Sequence, residues 1–270
     1  MLLHAGTNVV FQYFPMETKV FDTVAEAVRK AGHIDISVIF VPAALVKSVA
    51  LEAIDGGIGM LVIVPDRVPI HDVLEIAGNA EEKGARFIGP NTLGLVSPGK
   101  AVLGMIGGRA ERAREWFRPG EIGVSSRSGG MTSAISYYLT RAGFGQSTIV
   151  HVGGDAVVGM THPDIMRLFQ EDDQTRLIAM FGEIGTSQEE RVADLIEQGL
   201  LTKPVVAYIG GKAAKSGTRF SHAGAIVEGN RGSYETKVRR LKEVGVEVVE
   251  AISEVPGAAR RILNSRGGNA

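Results

Sequence analysis

Short hydrophobic runs rich in β-branched residues recur along the chain and alternate with longer amphipathic stretches. Gly or Pro bounds the runs, as is typical of strands. The runs lie at residues 36–41, 60–64, 85–88, 123–125, 148–152, 177–181, 204–209 and 246–249. Strands that are apolar throughout are typical of parallel sheets covered on both faces, so the pattern predicts an α/β fold.

The stretches between these runs carry apolar residues at the spacing of amphipathic helices. The predicted helices cover residues 23–31, 46–54, 70–83, 131–142, 163–171, 188–199, 234–244 and 255–262. Neither the strands nor the helices repeat in sequence, so the pattern does not indicate a solenoid or a repeat array.

A change of pattern at residues 96–119 separates two predicted domains. Ser97-Pro98-Gly99 opens this stretch, a charged run follows at 109–115, and Arg118-Pro119-Gly120 closes it. Because Pro and Gly disfavour one continuous element, we interpret 96–119 as a linker between a domain at 1–95 and a larger one at 120–270. The five strands of the larger domain fit a flavodoxin-like sheet, whose ligands bind beyond the carboxyl ends of the strands.

The composition narrows the chemistry that this chain can perform. Glycine supplies 35 of the 270 residues. This is about twice the usual share, and it favours the tight turns in which α/β proteins bind phosphorylated ligands. Cysteine is absent, which excludes disulfides, thiolate metal sites and cysteine nucleophiles.

Charge and hydropathy indicate which partners and which compartment to expect. The balance of 29 basic and 30 acidic residues argues against a nucleic-acid partner bound by a broad cationic face. The longest apolar run, at 38–46, is too short to span a membrane. Residues 1–19 lack the basic start and long apolar core of a signal peptide, so we expect a cytoplasmic protein without a membrane partner.

Five glycine-rich loops at the ends of predicted strands are candidates for the chemistry. They lie at residues 126–130, 151–155, 182–186, 210–212 and 221–225. The first opens into a predicted helix, whose backbone N–H groups and dipole favour an anion. The alternative for this loop is a simple N-cap followed by a tight turn. The phosphate loop of nucleotide triphosphatases is excluded because Val206 stands where Gly is required, and a dinucleotide fingerprint because the glycines at 56–59 precede a strand.

Of the six histidines, His222 has the most favourable setting for covalent chemistry. Small residues follow it at 223–225 and would leave the imidazole sterically open. Histidine acts as a nucleophile when a carboxylate orients one ring nitrogen and leaves the other free. His151 and His162 flank the Gly153-Gly154-Asp155 loop and are candidates for a pocket wall, but no metal-ligand spacing connects them.

Six motifs in a fixed order resemble the α subunit of succinyl-CoA synthetase and its relatives. They are Gly89-Pro90-Asn91, Ser126-Arg127-Ser128-Gly129, Gly153-Gly154-Asp155, Gly182-Glu183-Ile184-Gly185, Thr202-Lys203-Pro204-Val205 and His222-Ala223-Gly224-Ala225. The resemblance covers nearly the whole chain, from about residue 20 to residue 262. It implies a Rossmann-like CoA-binding domain followed by a flavodoxin-like domain that carries a transiently phosphorylated histidine.

The resemblance also implies a route for the phosphoryl group. ATP or GTP, bound with Mg²⁺ by an ATP-grasp domain on a separate β subunit, would phosphorylate His222, and Glu183 would orient that ring. The phosphoryl group would pass to a small carboxylic acid, and the thiol of coenzyme A would attack the acyl phosphate. The residues implied to bind phosphate and substrate are Ser126, Arg127, Ser128, Gly129, Gly130, Ser133, Gly153 and Gly154.

Two departures from the family pattern change these expectations. Relatives begin with a strand, a Gly-rich loop for the CoA phosphates and a helix, and we expect this chain to lack that first βα unit. The CoA-binding domain would then be truncated and would bind CoA more weakly. The remaining cofactor-binding surface would comprise Val41, Pro42, Ala43 and Asn91.

The second departure concerns the acid. Ser133 stands where succinyl-CoA synthetases carry a tyrosine, and the runs at 117–120 and 126–131 look closer to ATP-citrate lyase. A smaller residue leaves space for a bulkier or more polar acid, so succinate, citrate and malate all stay open. The alternative from another class is a non-catalytic or regulatory assembly partner, whereas a flavodoxin-type flavoprotein has only the sheet order in its favour.

Overall fold

The computed structural model describes residues 19–213 and 232–267. It contains a three-stranded and a seven-stranded sheet, with helices between the strands. His222 and its loop lie outside the described residues, as do residues 1–18, which the prediction of a lost first βα unit concerns. Within the described part, no helix is long and apolar enough to cross a lipid bilayer.

The first sheet, here called the N-sheet, is parallel. Its strands, in spatial order, are β1 (Ile36–Ile39), β2 (Met60–Ile63) and β3 (Arg86–Ile88). Its helices are α1 (Val24–Ala31), α2 (Val46–Asp55) and α3 (Ile70–Lys83). Leu61, Val62 and Ile63 of the middle strand are fully buried, as expected for a strand covered on both faces. Gly84 takes a left-handed φ of 68° and ends α3.

The second sheet, here called the C-sheet, has seven strands. They are β4 (Gly94–Ser97), β5 (Ala101–Gly104), β6 (Pro119–Ser126), β7 (Gln146–His151), β8 (Leu177–Glu183), β9 (Val205–Gly210) and β10 (Glu247–Val249). Their spatial order is β10-β9-β8-β6-β7-β4-β5, and the strands from β6 to β10 pair in parallel. Of these five strands, β6 comes first in the chain and lies between β7 and β8, which is the flavodoxin-like order. The predicted α/β class with a flavodoxin-like sheet is therefore confirmed.

Residues 96–119, predicted as a linker between two domains, contain regular secondary structure. β4 and β5 form an antiparallel hairpin there, and β4 also pairs with β7, so the hairpin extends the C-sheet. A short helix, α4 (Ala110–Trp116), follows. Pro98 and Gly99, which suggested a break, form the hairpin turn, where the Lys100 N–H donates to the Ser97 carbonyl at 2.9 Å. Pro119 and Gly120 begin β6.

Helices cover both faces of the C-sheet. The remaining helices are α5 (Gly129–Arg141), α6 (His162–Glu171), α7 (Gln188–Glu197), α8 (Tyr234–Glu243) and α9 (Val255–Gly267). One hydrophobic cluster joins α6, α7 and α8 to the sheet, and a second joins α4, α5 and α9 to it. This division gives the three layers of a doubly wound fold.

The two sheets meet where β3 runs beside the loop that follows β7. Val62 and Ile88 of the N-sheet belong to the same buried cluster as Val150 and Val152 of the C-sheet. The Gly89 N–H donates to the Val152 carbonyl at 3.0 Å. Backbone hydrogen bonds therefore fix the carboxyl end of β3 against the carboxyl end of β7.

His162, at the start of α6, is a buried structural residue. Its Nε2 donates to the Phe181 carbonyl oxygen at 3.1 Å, and its Nδ1 lies 2.7 Å from the Ser125 hydroxyl. Burial lowers the pKa of this ring from 6.5 to about 4 despite the nearby Glu189 carboxylate, and Arg127 adds to the lowering. The ring is therefore neutral, with the Ser125 hydroxyl donating to Nδ1.

We expect the free energy of unfolding of His162→Gln to fall less steeply than that of the wild type as the pH is lowered from 7 to 4. The unfolded chain takes up this proton near pH 6.5 and the folded chain near pH 4, so acidification through this window favours unfolding by up to about 3 kcal/mol. Urea unfolding at several pH values from 7 to 4 measures this slope, with the exposed His71→Gln as the control. If His162→Gln and the control lost stability equally with falling pH, the role assigned to His162 would be wrong.

Candidate active site

Three loops of the C-sheet meet at the carboxyl ends of β6, β7 and β8. They are the predicted loops at 126–130, 151–155 and 182–186. The strands are parallel neighbours in the order β8-β6-β7, so all three loops emerge at the same edge. The structure thus brings together three of the motifs that the sequence resemblance groups into one site, while the motif at 222–225 lies outside the described residues.

Arg127 joins the three loops from within the protein. Its Nε lies 3.4 Å from the Glu183 Oε1, and its Nη1 donates to the Thr186 hydroxyl at 3.3 Å. Its Nη2 contacts the carbonyl oxygens of Asp155 at 3.3 Å and Gly154 at 3.5 Å. Arg127 was predicted to bind phosphate or substrate, but its side chain has 0% exposure. The guanidinium therefore connects the three loops from a buried position, and its contact with a phosphate or substrate stays a prediction.

Glu183 and Arg127 form a buried ion pair at this edge. The side chains are 3% and 0% exposed, so removing either charge would leave the other in a poorly solvating environment. The Glu183 N–H donates to the Glu189 Oε1 at 3.0 Å, which fixes the last residue of β8. Glu183 thus lies at the carboxyl edge of the C-sheet, as predicted. Glu189 fixes its backbone and Arg127 fixes its side chain.

The start of α5 is the accessible part of the site. Gly130 is exposed, while Ser128, Gly129 and Ser133 are half-buried. The first N–H groups of a helix have no partner within the helix, and with the dipole they favour an anion. Ser133 lies one turn after Gly129 on the same helix face. Four of the eight predicted phosphate and substrate residues therefore form one accessible surface.

The other four predicted residues are buried behind this surface. Ser126 donates from its hydroxyl to the Ser128 carbonyl at 2.9 Å and accepts from the Ser128 N–H at 3.1 Å. Gly153 and Gly154 are buried beside Arg127. These residues shape the turn and the loop beside it, and the direct ligand contacts predicted for them stay a prediction.

His151, the last residue of β7, bonds to the turn that precedes α5. The Leu93 N–H donates to its Nδ1 at 2.8 Å, and its Nε2 donates to the Arg127 carbonyl at 3.0 Å. A ring with one donating and one accepting nitrogen is neutral. Leu93 also explains the glycine at the start of α5, because a Cβ on Gly129 would lie 2.5 Å from the Leu93 side chain.

Asn91 connects the N-sheet to this site. Its Nδ2 donates to the Asp155 Oδ1 at 3.0 Å, and its carbonyl accepts from the Gly154 N–H at 3.1 Å. Its own N–H donates to the Pro65 carbonyl at 2.7 Å, at the end of β2. Gly153 permits this approach, because it has φ 118° and a Cβ there would lie 2.5 Å from the Pro90 carbonyl oxygen.

The remaining predicted cofactor residues follow β1 at the carboxyl edge of the N-sheet. Val41 is 8% exposed, whereas Pro42 is exposed and Ala43 is half-buried. Ala43 begins a short 3-10 turn that leads into α2. Val41, Pro42, Ala43 and Asn91 thus occupy the edge where an α/β sheet binds its ligand. No group of acidic or histidine side chains in the described ranges could hold a metal ion.

Sequence reasoning missed the charged side chains that support the site. Lys237 on α8 and Glu189 on α7 are fully buried and in contact, and Thr186 bonds to Arg127. A usable signal was present, since Lys237 and Glu189 each occupy the apolar stripe of their helix, in register with Leu241 and Val192. A charge at such a position indicates a buried ionic partner.

Comparison with known families covers both halves of the chain. The profile described as CoA-ligase matches residues 125–252, and the profile of the CoA binding domain matches residues 4–66. Among solved structures, ATP citrate lyase from Methanothrix soehngenii in complex with citrate and coenzyme A aligns with a TM-score of 0.86. The alignment covers 92% of this chain and 42% of that one at 24% identity, so it supports the fold alone.

Relatives of known activity align over almost the full length. The ADP-forming succinate–CoA ligase subunit alpha 2 of Archaeoglobus fulgidus is 39% identical over 97% of this chain and 91% of its own length. A subunit of the ADP-forming sulfoacetate–CoA ligase of Acholeplasma sp is 37% identical over 92% of this chain and 85% of its own. This chain therefore belongs to the family of CoA-ligase α subunits that includes those of the succinate–CoA ligases.

Proposed function

We propose that this chain is the α-type subunit of a nucleotide-dependent acid–CoA ligase. The observation that carries the proposal is the Asn91 connection, in which a loop of the CoA-binding half bonds to Gly154 and Asp155 beside the start of α5. A thiol held at the N-sheet edge and an anion held at the α5 start would thus be neighbours. That is the arrangement that attack of CoA on an acyl phosphate requires.

His222 is the proposed phosphoryl carrier. One ring nitrogen attacks the γ-phosphorus of the nucleotide, and the nucleoside diphosphate leaves. The phosphoryl group then moves to the carboxylate of the acid, and displacement by CoA releases inorganic phosphate. Glu183 orients and stabilises the charged ring during the first transfer, while the N–H groups at the start of α5 bind the phosphoryl oxygens.

The proposed substrate is a small acid with a second anionic group. The two relatives named above act on succinate and on sulfoacetate, by their names. Both acids carry two anionic groups separated by one or two carbons. Ser133, half-buried one turn into α5, leaves space beside the phosphate site for the second group. Succinate, citrate and malate fit this description as well as a sulfonate does.

An ATP-grasp β subunit is the proposed partner and the proposed site of ATP or GTP and Mg²⁺. The chain has no phosphate loop of the Walker type. The start of α5 is accessible, and a phosphoryl donor on a second chain could therefore reach it. We place the active complex in the cytoplasm as an αβ hetero-oligomer.

Replacement of His222 by Asn should abolish phosphorylation. We expect acid-labile, base-stable label on the wild-type chain after incubation with the β subunit and γ-labelled ATP, and none on His222→Asn, because the nucleophilic nitrogen is absent. Circular dichroism should show an unchanged fold. The exposed His71→Asn is the matched control and should label normally.

Two results would contradict this assignment. Label retained on His222→Asn would place the carrier elsewhere, and label on the wild-type chain without the β subunit would remove the need for a partner. A wild-type chain that binds the β subunit but accepts no label would favour the non-catalytic assembly role.

Replacement of Glu183 by Gln should slow phosphorylation of His222 by about 10²–10⁴-fold, the range associated with positioned acid–base groups. The variant keeps the shape of the side chain and removes the charge that faces Arg127 at 3.4 Å. Single-turnover labelling measures the effect, with the exposed Glu197→Gln as the control. A lower melting temperature with a normal labelling rate would show that Glu183 only stabilises the fold.

A further inference from the structure

A second buried charge cluster lies directly behind the Arg127–Glu183 pair. The Lys237 ammonium contacts the Glu189 Oε2 at 2.5 Å, the Thr186 carbonyl at 2.7 Å and the Glu190 Oε2 at 2.8 Å. The side chains of Lys237 and Glu189 are both 0% exposed. All three N–H groups of the ammonium thus have acceptors within the protein.

Two connections lead from Lys237 to the active-site pair. In the first, the Oε1 of Glu189 accepts from the Glu183 N–H at 3.0 Å while its other oxygen contacts Lys237. In the second, Lys237 holds the Thr186 carbonyl, and the Thr186 hydroxyl accepts from Arg127 at 3.3 Å. The ammonium therefore fixes the backbone of Glu183 and one partner of Arg127 at the same time.

The backbone of β8 leaves room for the Glu189 carboxylate of this cluster. A Cβ on Gly182 would lie 2.5 Å from the Glu189 Oε1, so glycine is needed where the carboxylate approaches β8. Burial has the largest single effect and raises the pKa of Glu189, but the charges of Lys237 and of other nearby groups, together with the hydrogen bond from Lys237, hold that pKa below its usual value. A fully buried ion pair is often no more stabilising than apolar side chains of similar volume, so stability alone does not account for it.

We propose that Lys237 is a positioning residue for phosphoryl transfer, which fixes Glu183 and Arg127 through Glu189 and Thr186. The inference rests on the proposed function. Lys237 makes no contact with the reacting groups in this scheme. Its effect is on the geometry of the loop at 183–186, and a small misplacement of a catalytic group costs about 100-fold in rate.

The test replaces both members of the pair by apolar side chains of similar size, Lys237→Met with Glu189→Leu. This double variant removes both fully buried charges and keeps the core filled, while Glu190, whose side chain is 19% exposed, keeps its charge near solvent. The control is Arg240→Met on the same helix, which breaks a more exposed pair of contacts to Asp194 at 2.8 Å and Glu197 at 2.5 Å. Both are assayed as the complex with the β subunit.

We expect the double variant to label about 100-fold more slowly than the wild type. Its melting temperature should stay close to that of the control, and its KM for CoA should be unchanged, because CoA is bound at the N-sheet. Hydrogen exchange followed by mass spectrometry should show faster exchange of the amides at 183–186, and no such change in the control. A merely structural role would lower the melting temperature and leave the labelling rate of the folded protein unaltered.

Three results separate the possible failures. Wild-type labelling rate and unchanged exchange at 183–186 in the double variant would overturn the proposal. If the double variant does not fold, Lys237→Met with Glu189→Gln keeps an acceptor for the Glu183 N–H, and normal labelling and exchange in that variant would overturn it equally. If the wild type itself accepts no label, the proposed function fails, while faster exchange at 183–186 would still support the positioning role.

Discussion

The geometry of the candidate site depends on the buried ion pair of Arg127 and Glu183. The guanidinium stays positively charged within the protein and can only donate hydrogen bonds. The buried groups around it must therefore be hydrogen-bond acceptors. Glu183, Thr186, Gly154 and Asp155 supply the acceptors, and they come from two different loops. The desolvation cost of the charge is offset only when these loops adopt one arrangement.

The same constraint reaches the N-sheet. Gly154 and Asp155 bond to Arg127 on one side and to Asn91 on the other. A displacement of the Gly153-Gly154-Asp155 loop would therefore disturb both the end of β3 and the start of α5. Backbone hydrogen bonds and a shared hydrophobic cluster thus connect the two halves of the chain.

Much of the fold could be predicted from the sequence, because most strands of both sheets are short apolar runs bounded by Gly or Pro. The eight predicted strands and eight predicted helices all occur, with ends shifted by a few residues. The β4–β5 hairpin was missed since its strands are only four residues each and each contains a glycine. Pattern cannot distinguish such a strand from a loop.

The location of the candidate site could be predicted from the sequence, but which of its residues are buried and which are accessible could not. Glycine-rich turns at strand ends identified the loops, but the sequence does not show which polar residues face outward. Arg127 and Gly153 lie in the same kind of motif as Gly130, yet burial separates them. Lys237 was missed because its partner Glu189 is 48 residues away, and only the packing of α7 against α8 brings them together.

The hairpin also determines what the C-sheet offers to other molecules. It covers β7, so the outermost strands in the described part of the chain are β5 with four residues and β10 with three. Short edge strands expose few unpaired backbone groups and give poor templates for strand addition by another chain. Strand addition and sheet-to-sheet aggregation are therefore disfavoured at the described ends of the C-sheet, which leaves its helix faces and loops for a partner subunit.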